Sequence, residues 1–76
     1  MEMDHTEIIK YAIGNFFRGR KEVFDIRSYH MINVEMHRDC DYVFCDVLIG
    51  RKSYIYIFKL SGMHILAYNS FPYRLP

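Results

Sequence analysis

Between residues 41 and 71 the chain carries three apolar runs, YVFCDVLIG, SYIYIFKL and MHILAYNSF. Each is dense in β-branched and aromatic residues, which fit the pleated surface of a strand. Glycine-bearing breaks separate them, GRK at 50–52 and Ser61-Gly62, and supply the residue that tight hairpins favour. A sheet with one face in water alternates apolar with polar along each strand. These runs are apolar in both alternating sets. They therefore predict a sheet with more apolar surface than the rest of a 76-residue chain can cover.

The segment 4–18 reads as a helix. Ile9, Ala12, Ile13, Phe16 and Phe17 recur at helical spacing, flanked by Ile8 and Tyr11. Asp4 or Thr6 can cap its start, and Glu7 follows Asp4 in capping-box fashion. Acid at the start and Arg18, Arg20 and Lys21 at the end suit the helix dipole. Gly14 predicts a close approach of the helix to a sheet, and Gly19 a C-terminal stop.

A strand is expected over 23–38, or two strands broken near Ser28, with clean alternation from His30 onward: His30, Ile32, Val34 and Met36 against Met31, Asn33, Glu35 and His37. A turn at Asp39-Cys40 would set Ile32 opposite Val47, with Val34 facing Cys45 and Met36 facing Val43. The next strands are expected over 41–50, 53–60 and 63–71. A two-residue loop within 50–52 puts Tyr54, Tyr56, Phe58 and Leu60 on the face of Val43, Cys45, Val47 and Ile49. A three-residue loop would put Ile55 and Ile57 there instead. The first keeps Lys59 and His64 out of the core. A Ser61-Gly62 turn would pair Leu60 with Met63, Phe58 with Ile65 and Tyr56 with Ala67. The tail, 72–76, holds two prolines and is expected to leave the sheet edge.

The fold class that follows is α+β in a single domain over 1–76. One N-terminal helix packs across a four-stranded antiparallel β-meander, an arrangement similar in outline to the cystatins. No motif accompanies that outline, so it implies nothing about activity. The helix covers the face of Ile32, Val34, Met36, Val43, Cys45, Val47, Ile49, Tyr54, Tyr56, Phe58, Leu60, Met63, Ile65 and Ala67. The other face then carries Tyr29, Met31, Asn33, Glu35, Tyr42, Phe44, Asp46, Leu48, Ile55, Ile57, Lys59, Leu66 and Tyr68. Leaving ~500 Å² of such a face wet forgoes on the order of 12 kcal/mol of possible burial, and contiguous apolar patches of that size mark interaction sites.

Composition narrows the function classes. Net charge is +1 with a pI near 7.8, so no global charge draws the chain to nucleic acid or an acidic membrane. No apolar run approaches the ~20 residues of a membrane span. The acidic start MEMDHTE is unlike the basic start of a signal peptide. Two cysteines fit a reducing compartment, and the expected location is cytoplasmic.

Site chemistry is sparse. His37, Cys40 and Cys45 with Asp39 and Asp41 suggest a metal, but zinc sites pair such a group with a second one elsewhere. Here no second pair exists; Cys45 is expected in the core and Cys40 in a turn. Acids beside Cys40 oppose the lowered thiol pKa a nucleophile needs. No phosphate loop, G-x-S-x-G or H-E-x-x-H is present. No catalytic residue, cofactor or metal is therefore assigned, and the chain is not read as an enzyme.

The expected function is a non-catalytic protein-binding module, a small regulator or inhibitor of the phage-type or bacterial accessory kind. It would self-associate as a homodimer through Tyr42, Phe44, Leu48, Ile55, Ile57, Leu66 and Tyr68, or cover a host or regulatory protein. Single-stranded nucleic-acid binding is the alternative, with tyrosine and phenylalanine stacking bases and Arg18, Arg20, Lys21, Arg51 and Lys52 contacting phosphates.

Overall fold

A computed structural model describes residues 4–32 and 39–73. Among them the chain forms α1 (His5–Gly19), β1 (Phe24–Ile32), β2 (Asp41–Ile49), β3 (Lys52–Ser61) and β4 (His64–Tyr73). The strands form one antiparallel sheet in the order β1-β2-β3-β4. This is the helix-plus-meander fold that the pattern predicts. The expected extension of β1 to residue 38, with Asn33, Val34, Glu35, Met36 and His37, lies outside the described residues, as do 74–76.

The helix begins where its cap is. Asp4 accepts a hydrogen bond from the Glu7 amide at 2.8 Å, satisfying one of the donors a helix start leaves open. Its buried stripe is Ile9, Ala12, Ile13 and Phe17, with Phe16 half-buried beside it. The expectation for Gly14 changes, while the helix does stop at Gly19. A Cβ at Gly14 would first meet the Arg18 guanidinium, at 3.1 Å, so the helix's own next turn crowds that position rather than the sheet. Gly19 is the last helical residue; Arg20 caps the helix and Lys21 takes the left-handed conformation, φ +56°.

Across the sheet, Val43, Cys45, Val47, Tyr56, Phe58 and Leu60 are buried against that stripe. Cys45 opposite Tyr56 and Val47 opposite Tyr54 establish the two-residue loop at Gly50-Arg51, as the pattern selects. Gly50 and Gly62 both have φ near +60° at the first loop position, a conformation that costs glycine little.

The outer hairpins differ from expectation, and in both one extra residue reverses the faces. In β1, Ile32 lies opposite Tyr42 rather than Val47, an offset of five residues. An odd offset moves every side chain to the other face. Tyr29 and Met31 therefore point to the helix, and Ile32 points away. The helix end explains why. Only residues 20–23 link α1 to β1, and Phe24 stacks on Phe17 with ring centroids 5.4 Å apart. That contact holds Phe24 and Ile26 under the helix, and a bulge at Arg27 then brings Tyr29 and Met31 to the same side.

In the last hairpin the loop is Gly62-Met63, with Ser61 opposite His64 and Leu60 opposite Ile65. Moving the turn by one position keeps the faces as expected, and Ile65 packs against the core. A bulge at Leu66 then reverses them: Phe58 meets Tyr68, and Ala67 meets Lys59. Tyr68, not Ala67, lies on the helix side, its ring 4.9 Å from that of Phe16. The proline tail also departs from expectation. Phe71, Pro72 and Tyr73 stay paired with β3 because β4 is an edge strand, where a missing N–H costs nothing on the open side.

Candidate functional site

The register sets out the face turned away from the helix as four rows, each read from β1 to β4. They are Asp25–Leu48–Ser53–Tyr73, Ser28–Asp46–Ile55–Phe71, His30–Phe44–Ile57–Asn69 and Ile32–Tyr42–Lys59–Ala67. The centre is apolar, formed by Phe44, Leu48, Ile55 and Ile57, and none of these is fully buried. Ile32 and Phe71 extend it to both edges, 40% and 46% exposed. No described element covers this face.

Of the seven interface residues predicted, Tyr42, Phe44, Leu48, Ile55 and Ile57 lie together on this face. Leu66 is at the β4 bulge and 53% exposed, flanking the patch. Tyr68 belongs to the helix side by register, as does its packing on Phe16, although it helps line a hollow of about 240 Å³ with Tyr42, Ile57, Lys59 and Asn69. Ile32, Phe71 and Tyr73, with His30 and Ala67, are on this face against the pattern's expectation. A signal for Ile32 exists: in FDIRSYHMI the helix-side residues fall at 24, 26, 29 and 31, and the step of three marks the bulge.

Charges on this face are few. Asp46 sits beside the apolar centre, and its Oδ1 is buried with no hydrogen-bond partner among the described residues. Buried polar atoms in native proteins are nearly always paired. His30 lies in the next row and Lys59 in the one beyond it.

The two basic groups predicted for nucleic acid come to the same end of the molecule. The Gly50 amide donates to the Val23 carbonyl at 3.0 Å, which ties the connector holding Arg20 and Lys21 to the β2–β3 turn holding Arg51 and Lys52. Arg18 is engaged within the helix: it donates to Asn15, and its guanidinium lies 6.0 Å from the Tyr11 ring centre. Arg20 lies over the Phe16 ring at 5.5 Å. The opposite end is acidic, with Asp4, Glu7, Asp39 and Asp41, and His5 Nε2 2.9 Å from Asp41.

On the helix side, Cys45 is fully buried, and burial pushes its thiol up to about 12. A thiol so raised is a small apolar group and not a nucleophile. Burial also raises the Tyr29 phenol, with Cys45 adding to the effect and Arg18 opposing it. Cys40 is half-buried just before β2. Among the described residues no three His, Cys, Asp or Glu side chains gather as a metal-binding group, and no helix is long and apolar enough to cross a membrane. No protein family, curated protein or solved structure matches the chain.

Proposed function

We propose that this chain is a non-catalytic protein-binding module that forms a two-fold homodimer through its outer sheet face and acts as a small regulator or inhibitor in the cytoplasm. The observation that carries this reading is the uncovered apolar centre of Phe44, Leu48, Ile55 and Ile57, continued by Ile32 and Phe71. Four strands ~4.8 Å apart and about eight residues long give the face a footprint of roughly 500 Å². That is the same order as the ~800 Å² that each partner contributes to a standard interface. A two-fold axis lets one patch cover its own copy. Two such sheets would stack ~10 Å apart.

Light scattering on the wild type and on Ile57→Glu tests it. Ile57 lies outside the helix-side core, so the variant keeps its fold while placing a carboxylate where burial is costly. The expected wild-type mass is twice the 9.2 kDa of one chain, falling to one chain in the variant. A wild-type monomer at tens of micromolar would refute self-association. A dimer untouched by Ile57→Glu would place the contact elsewhere.

A further inference from the structure

A hollow of about 310 Å³ opens at the basic end of the sheet, lined by Arg51, Lys52, Ser53, Tyr54, Pro72 and Tyr73. Its volume is at the lower end of the range for small-molecule sites. No carboxylate among the described residues lines it. By register the nearest outer-face acids are Asp25, two strands from Ser53 in the same row, and Asp46, one strand over and two residues along from Ser53. Glu22 follows Lys21 in the connector, yet neither Arg51 nor Lys52 forms an ion pair among the described residues. Two uncompensated cations, a hydroxyl and two tyrosines thus border one concavity.

A second feature agrees. The net charge of +1 hides a separation along the molecule: Arg20, Lys21, Arg51 and Lys52 outnumber Glu22 and Asp25 at one end, and Asp4, Glu7, Asp39 and Asp41 gather at the other. An anion is drawn to one end only. Cations hold phosphate, and an aromatic side chain offers a surface on which a base can stack whatever its identity. From these observations we infer that the hollow binds a nucleotide, with Arg51 and Lys52 on the phosphate and Tyr73 against the base. The nucleotide is free or is part of a single strand, whose next phosphates would run toward Arg20 and Lys21. The hollow adjoins the apolar centre proposed as the dimer contact, because Ser53 and Tyr73 share a row with Leu48.

Amide chemical shifts followed by NMR during titration with AMP, inorganic pyrophosphate and oligo(dT) test the inference. AMP is expected to shift the amides of residues 50–54 and Tyr73 saturably, with a Kd below about 1 mM. The double variant Arg51→Glu/Lys52→Glu is expected to bind at least about tenfold more weakly with an unchanged melting temperature, since both side chains are exposed. For oligo(dT), two phosphate contacts predict a slope of log K against log salt of about −1.4, lost in the double variant. AMP binding as tightly as oligo(dT) assigns the free nucleotide; a clear preference for the oligonucleotide assigns the strand. Ile57→Glu should bind AMP as the wild type does, whatever its effect on the dimer. The inference is overturned if millimolar AMP causes no shift, if the shifts lie on the apolar centre, or if pyrophosphate binds as well as AMP.

Discussion

Phe17→Ala is the substitution that most directly probes the packing of the helix on the sheet. Phe17 is 1% exposed, and its ring lies 4.9 Å from Tyr56, 5.1 Å from Phe16, 5.4 Å from Phe24 and 6.0 Å from Phe58. It joins the helix to β1 and β3 at once. Removing a buried phenylalanine ring costs about 3–5 kcal/mol. A 76-residue domain has roughly 4–11 kcal/mol of stability in total. The variant should therefore sit close to unfolding at room temperature. At roughly 4–8 °C per kcal/mol for a domain of this size, its melting temperature should fall by at least about 12 °C. Urea unfolding followed by circular dichroism gives the free energy. It is best done in the Ile57→Glu background, so that dimerisation does not add its own concentration-dependent stability. Tyr11→Ala, on the exposed side of the same helix, is the control, with an expected effect within about 0.5 kcal/mol. A loss below about 1 kcal/mol for Phe17→Ala, or an equal loss for Tyr11→Ala, would refute the packing described.

The left-handed Lys21 and the buried Cys45 give two further predictions. Lys21 at φ +56° bears a cost of about 1 kcal/mol that glycine avoids, so Lys21→Gly should stabilise by about 0.5–1 kcal/mol in urea; a loss would mean that its side chain supports the fold. With the Cys45 thiol pushed up to about 12, a thiol reagent at pH 8 should modify Cys40 alone in the folded protein and both cysteines after unfolding. The unfolded chain releases the Cys45 proton near the ordinary 9.0 while the folded state retains it, so that contribution to stability is constant below about pH 9 and declines as pH rises toward 12. Cys45→Ala should make stability fall less steeply over that window, and an unchanged pH profile would contradict the assignment.

How far the sequence determines this structure visibly depends on whether local signals agree with one another. The helix is legible because its cap, Asp4, and its stripe, Ile9, Ala12, Ile13 and Phe17, point to the same element. The β2–β3 pairing is legible because one loop length buries Tyr56 and Phe58 and keeps Lys59 out of the core. The outer strands are harder to read. A strand's period of two makes each face assignment depend on a count of residues, and single insertions at Arg27 and Leu66 reverse the count. Neither is a glycine or proline that would announce a break. Tyr68 was therefore expected on the outer face and Ile32 under the helix, whereas Phe44, Ile55 and Ile57, on the two inner strands, were placed correctly. The hollow at the basic end depends on Tyr73 staying in the sheet beyond Pro72, which the prolines of the tail argued against.

The outer-face dimer is tested most directly by isotope-filtered NMR on a mixture of labelled and unlabelled chains, which detects only contacts between copies. Contacts between chains are expected from the methyl groups of Leu48, Ile55 and Ile57 to the rings of Phe44 and Tyr42, with none from Ile9 or Ile13 beneath the helix. Contacts confined to helix residues such as Tyr11, or none in a sample concentrated well above the micromolar range, would contradict it.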